Sequence, residues 1–150
     1  MQFIADFHVH SCYSRATAKD LNLENLYIAA QIKGITVVGT GDFTHPAWFS
    51  EIENKLEPAE EGLFKLKEEI ARSCDQRVPE RCRKSIRFLL STEISNIYKK
   101  NERTRKNHNL VLMPNLESAR YFSQKLSRIG NIVSYGRPIL GMDARDLLEM

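Results

Sequence analysis

Two histidines separated by one residue open the list of groups in this chain that could do chemistry. In Ile4-Ala5-Asp6-Phe7-His8-Val9-His10 an extended backbone alternates its side chains. Asp6, His8 and His10 then share one face, while Phe3, Ala5, Phe7 and Val9 share the other. Adjacent neutral imidazoles bind a divalent cation through their ring nitrogens, and a nearby carboxylate orients a ligand from behind, the role expected of Asp6. His-x-His alone also describes the polar face of a half-exposed strand, so further donors decide the matter. Asp42 follows the glycine-flanked Gly39-Thr40-Gly41. Glu93 lies within Arg87-Phe88-Leu89-Leu90-Ser91-Thr92-Glu93-Ile94, where apolar neighbours imply burial and a buried carboxylate needs a cation. His108 precedes the apolar run Asn109-Leu110-Val111-Leu112-Met113; taken singly, such a histidine is ordinarily structural. Mixed imidazole and carboxylate donors suit Zn²⁺ or Mn²⁺, with Fe²⁺ also in range and Mg²⁺ less natural.

The elements needed to position these groups are legible as an α/β pattern. Asn22 caps a helix through Leu23, Leu26, Ala29, Ala30 and Ile32, which Gly34 ends. Ile35-Thr36-Val37-Val38 reads as a strand covered on both faces. Strand, helix, strand with short connections is a right-handed βαβ unit and predicts a parallel sheet. Function in such sheets gathers at the C-terminal ends of the strands, where His8, His10, Asp42 and Glu93 are expected. Pro46 opens a short helix with Trp48, Phe49 and Ile52, and the charged stretch from Glu57 to Ser85 predicts a loop followed by a weak helix or irregular excursion. Arg87 to Ile94 and Asn109 to Met113 are predicted strands joined by a cation-rich turn, followed by a helix from Leu116 to Ile129 and another from Ala144 to Met150 capped by Asp143.

At 150 residues the chain suits one domain, 1–150. A 42% hydrophobic and 27% charged composition is that of a globular protein, and no apolar run approaches the roughly 20 residues of a membrane span. No secretory signal fits an N-terminus bearing Asp6 and His8. Cys12, Cys74 and Cys82 read as reduced thiols, so a cytoplasmic location without membrane partners is expected. Net charge is only +3, but Arg81, Arg83, Lys84, Arg87, Lys99, Lys100, Arg103, Arg105 and Lys106 crowd one stretch.

Asp6-Phe7-His8-Val9-His10-Ser11, with Tyr13-Ser14 following, resembles the first motif of the PHP (polymerase and histidinol phosphatase) superfamily. Gly39-Thr40-Gly41-Asp42 is similar to its second motif, usually Thr-Asp-His; Thr92-Glu93-Ile94 to its bridging-glutamate strand; and Lys106-Asn107-His108-Asn109-Leu110 to its next histidine motif. The longer stretches Gly39 to Trp48 and Gly136-Arg137-Pro138-Ile139-Leu140-Gly141 resemble the endonuclease Q branch, which nicks DNA beside deaminated bases. The resemblance implies metal-dependent phosphoester chemistry on a distorted (β/α)7 barrel, of which this chain would be the N-terminal half. It implies His8, His10 and Glu93 at one cation, Glu93 bridging to a second held by His108, and Asp42 at a third. Arg15 stands where many relatives carry an acidic residue or histidine, which leaves it, with His45, as a candidate substrate contact. His45 itself reads as an exposed loop histidine. The family's later histidine and Asp-x-His pair are absent after His108, so two or three cations belong to the complete domain and impaired activity is expected of the chain alone.

On this reading Lys99, Lys100, Arg103, Arg105 and Lys106 sit on a turn beside the cations and draw in the DNA backbone. A histidinol-phosphatase-type enzyme would share the cations and release phosphate from monoesters. A non-catalytic metal-binding module of a polymerase or helicase would bind cations without turnover.

Overall fold

The computed structural model describes residues 2–150. The chain runs β1 (Ala5–Asp6), α1 (Leu23–Lys33), β2 (Val37–Gly39), α2 (Pro46–Lys55), β3 (Leu56–Pro58), β4 (Phe64–Leu66), α3 (Glu68–Asp75), a 3-10 turn (Glu80–Cys82), β5 (Arg87–Lys100), β6 (Arg103–Met113), α4 (Leu116–Ser127), β7 (Ile139–Leu140) and α5 (Ala144–Leu148). The strands form one mixed seven-stranded sheet in the order β1-β2-β5-β4-β3, with β6 and β7 added along β5.

The βαβ unit forms for the reasons its residues supply. Asn22 Oδ1 accepts from the Asn25 amide at 2.8 Å, and Gly34 closes α1 in the left-handed region. α1 buries Leu23, Leu26, Tyr27 and Ala30 in the core. β1 and β2 pair in parallel (Ala5 with Val37, Asp6 with Val38), and β2 pairs in parallel with β5 (Val37 with Arg87, Gly39 with Leu89). The core joins Val38, Phe88, Leu90 and Ile94 of the strands to Trp48 and Ile52 of α2 and to Phe122 and Leu126 of α4.

β5 is the spine. Its first residues sit between β2 and β4, where Phe64 opposes Phe88 in antiparallel sense, and its remainder, from Leu90 onward, pairs antiparallel with β6. It also pairs in parallel with β7 through Ser95 and Asn96. Glu93 is therefore mid-strand, four residues past the last rung with β2, rather than at the end of a strand.

Three expectations are corrected. The opening strand is hydrogen-bonded only at Ala5–Asp6, because β2 is short and residues 7–10 run on beyond its last partner. The stretch from Glu57 to Ser85 is more regular than its charge suggested: Leu56, Phe64 and Leu66 are buried apolar anchors of a β3–β4 hairpin, which adds antiparallel strands to the sheet besides the β5–β6 hairpin. The cation-rich turn is strand: β5 and β6 extend to Lys100 and Arg103, leaving only Asn101 and Glu102, both with positive φ, to reverse the chain.

Candidate metal centre

Asp42 is built into a cage. Gly41 and Asp42 both have positive φ (64° and 47°), so the chain turns sharply after β2. A Cβ at Gly41 would lie 2.5 Å from the Val9 carbonyl oxygen, so only glycine lets this turn press against the segment after β1. The turn is tied to β5, the Gly41 amide donating to Ser91 Oγ (3.0 Å) and the Ser91 amide to Thr40 Oγ1 (3.1 Å). Trp48 Nε1 donates to the Gly41 carbonyl at 2.8 Å from α2. The buried Asp42 carboxylate then receives four hydrogen bonds. Its Oδ2 accepts from the Ser11 amide (2.7 Å), Ser11 Oγ (2.7 Å) and Ser14 Oγ (2.8 Å), and its Oδ1 meets His10 Nδ1 at 3.0 Å. Burial pushes this carboxyl upward, but the bonds from His10, Ser11 and Ser14 outweigh it and hold it below its ordinary value. The Asp42 bond raises His10 against the opposing effect of burial.

Glu93 is the hub. Its side chain is 2% exposed, and imidazoles approach both oxygens. Oε2 lies 3.0 Å from His8 Nε2 and 3.1 Å from His10 Nε2, while Oε1 lies 2.5 Å from His108 Nδ1 and 3.5 Å from Arg137 Nη1. His108 arrives by register: it opposes Ser95, which shares a strand face with Glu93 two residues earlier. Burial alone would raise Glu93, but the surrounding His8, Arg137, His108 and His10 hold it lowered. Such a carboxylate, sunk among imidazoles, is stable only beside positive charge.

This donor set fits a divalent cation. Ligand atoms of His8, His10 and Glu93 lie within 4.8 Å of one another, near the roughly 3–4 Å spread of donors around an ion at about 2.1 Å. With Nδ1 of His10 occupied by Asp42, Nε2 is the nitrogen left toward Glu93, the arrangement in which a carboxylate fixes a ligand's tautomer.

The other sequence candidates are placed differently. Asp42 meets His10 through Oδ1 while its Oδ2 accepts from Ser11 and Ser14, so it stands against the imidazole of His10 rather than on Glu93. Asp6 accepts from the backbone amide of His8 at 3.2 Å and meets no imidazole by hydrogen bond. His45 is not exposed: it is 7% accessible at the start of α2, stacks on Tyr13 at 4.3 Å, and its Nε2 meets the Val133 carbonyl at 2.9 Å. Burial lowers its basicity. Arg15 is exposed and lies against the Tyr135 ring. The cations Lys99, Lys100, Arg103, Arg105 and Lys106 run out along the hairpin rather than around the cluster. Only Lys99 and Lys106 share the strand face of Glu93 and His108; Lys100, Arg103 and Arg105 face the other way, and Lys100 pairs with Asp143 at 2.6 Å. Six residues of strand, roughly 20 Å, separate Lys99 from Glu93.

Sequence reasoning missed Ser11, Ser14 and Arg137 as parts of the site. Each lay inside a quoted motif, but nothing in its type or spacing says that it reaches a carboxylate 28 to 44 positions away.

The chain matches no protein-family model. Over 148 residues it is 30% identical to the uncharacterized protein MJ0043 of Methanocaldococcus jannaschii, covering 97% of this chain but 14% of that protein. Its fold is similar to that of the lesion-specific endonuclease PfuEndoQ from Pyrococcus furiosus, with a TM-score of 0.73 and 29% identity. It is also similar to Endonuclease Q in complex with a 27-mer duplex substrate bearing an abasic lesion at the active site, with a TM-score of 0.76 and 28% identity. Each overlay covers 98% of this chain and 31% of the solved one, so the chain spans about a third of the structures it matches and a smaller share of its curated relative.

Proposed function

We propose that this chain forms the cation-binding part of a metal-dependent DNA endonuclease of the endonuclease Q type, within the PHP superfamily, acting on duplexes that carry deaminated bases. One observation carries the reading: two imidazoles of the segment after β1 and a third from β6 converge on the buried Glu93 in a fold similar to that of solved endonuclease Q. Glu93 meets His8 and His10 through one oxygen and His108 through the other, and these residues would hold a divalent cation, Zn²⁺ or Mn²⁺ by donor type. Divalent cations bound there supply Lewis acidity toward a phosphodiester.

The chain's own residues do the rest. Asp42 holds His10 with its Nε2 toward Glu93, and the Ser11 and Ser14 donors keep that carboxylate ionised and still. Lys99 and Lys106 place positive charge on the cluster's face of the hairpin, where a DNA backbone can follow it.

The test is nicking of uracil-, hypoxanthine- or abasic-site duplexes by the protein with Mn²⁺ or Zn²⁺, and again after chelation. Cleavage at the lesion that chelation abolishes is expected, with His8→Ala and Glu93→Gln inactive. Lesion-independent release of phosphate from monoesters would instead favour a histidinol-phosphatase type, and stoichiometric cation uptake without cutting would favour a metal-binding module.

A further inference from the structure

Beside His10 opens a cavity of about 330 Å³ lined by Ser14, Arg15, Thr17, Tyr135 and Arg137, with no carboxylate among its lining residues. Its two walls come from segments more than a hundred residues apart, and Gly136 joins them. The Gly136 amide donates to the Tyr13 carbonyl at 3.0 Å, and a Cβ there would stand 2.3 Å from Asp42 Oδ2 and 2.7 Å from Ser14 Oγ. That approach delivers the residues on either side of Gly136 to the mouth of the metal centre. Arg15 Cζ lies 4.0 Å above the Tyr135 ring, and its guanidinium is hydrogen-bonded to the Tyr135 hydroxyl. Ala16 holds a strained left-handed conformation (φ 58°) in the same wall, braced where Thr17 Oγ1 donates to the Ser11 and Ser14 carbonyls at 2.9 and 2.8 Å.

Arg137 is the informative member. At 3.5 Å its contact with Glu93 is longer than a charge-assisted hydrogen bond, and it shares that carboxylate with three imidazoles. A divalent cation on Glu93 would repel the guanidinium and release it toward the cavity, where Arg15 already waits. Two planar guanidinium forks and a phenol form a cluster of donors matched to the oxygens of a phosphate, while the Ser14 and Thr17 hydroxyl protons are already given to Asp42 and to backbone carbonyls.

We propose that Arg15, Tyr135 and Arg137 form a subsite for a DNA phosphate next to the one that faces the cation cluster. This rests on the endonuclease reading above and names how that site holds its substrate. The two arginines, not the outlying hairpin cations, then make the phosphate contacts nearest the chemistry.

Anisotropy of a labelled 15-base-pair abasic-site duplex, titrated between 50 and 200 mM KCl with and without Zn²⁺, tests the proposal. Arg15→Ala and Arg137→Ala should each weaken binding about 3- to 10-fold and flatten the log affinity against log salt slope by about one. Arg15→Lys and Arg137→Lys should restore the slope with part of the affinity. Arg137→Ala should also bind Zn²⁺ more tightly than the parent, since it removes a competing charge from Glu93. Unchanged slopes in both alanine variants, or a loss that lysine does not rescue, would overturn the subsite. Zinc uptake without DNA binding by the parent overturns it as well. DNA binding without zinc uptake sinks the cation reading instead and leaves the arginine contacts standing.

Discussion

At the scale of single residues, the contrast between Asp42 and Glu93 carries the chemistry. Both are buried carboxylates, yet one accepts from fixed hydroxyl and amide donors and the other faces imidazoles that a cation can claim. Asp42→Asn is nearly the same size and separates these roles. Its oxygen can take the place of Oδ2 among the Ser11 and Ser14 donors, which turns its NH₂ toward His10 Nδ1. That nitrogen must then accept, and the proton moves to Nε2, where a cation should bind. Cation affinity should fall about 10- to 100-fold while the urea midpoint moves little, as read by competition with a metal chelator and by denaturation. An unaltered affinity would mean that His10 does not need Asp42 to fix its tautomer.

At the scale of elements, the site depends on places where two backbones come closer than a side chain permits. The loop bearing Tyr135 to Arg137 rests on Asp42 and Ser14 through Gly136, with no room for a Cβ. Gly136→Ala should destabilise the protein by about 1–3 kcal/mol and weaken cation binding, because the added methyl displaces the Asp42 cage. Gly141→Ala, five residues on, meets nothing within 4 Å and should change neither. Parallel denaturation and cation titration of the two variants check this, and equal behaviour would show that the loop yields freely. The β5–β6 hairpin teaches the complementary point. Its register brings His108 onto Glu93 while the same alternation turns Lys100, Arg103 and Arg105 to the opposite face.

At the scale of the whole molecule, the titrating cluster links the site to global stability. In chelated protein His10 is raised above 6.5, whereas Asp42 and Glu93 are lowered below 3.8 and 4.5. The raised histidine contributes stability in full below about pH 6.5, lost as pH climbs through its folded value. The lowered carboxylates contribute above about pH 4.5, lost as pH falls through theirs. Buried His45 is lowered instead and acts in the opposite sense over the same range. Urea midpoints in a chelator should therefore fall as pH drops below about 4.5, while the His10 contribution is read as the difference between the parent and His10→Gln, which should shrink between about pH 6 and pH 8 and which excess Zn²⁺ should keep from shrinking. A difference that grows up to pH 8 in the chelator would contradict this pairing. Among the described residues no helix is long and apolar enough to cross a membrane. Phe3, Ile4, Leu110 and Leu112 stay exposed on sheet strands and their approaches, and the solved structures of similar fold extend well past the matched region.

Local features were legible in the order of residues alone. Asn22 and Gly34 bound α1, β-branched residues form β2, Pro46 opens α2, and alternation puts His8 and His10 on one side, because caps, fixed φ and strand periodicity act over a few residues. It also supplied the donors, since imidazole beside buried carboxylate has few uses. Tertiary structure decided which donors serve which purpose. Whether Asp42 ligates or orients depends on Ser11 and Ser14, whether His45 is open depends on Tyr13 and Val133, and whether the hairpin cations crowd the cluster depends on how far β5 and β6 stay paired. Those are contacts between segments tens of residues apart, and hydrogen-bond competition among them is settled only when the chain has folded.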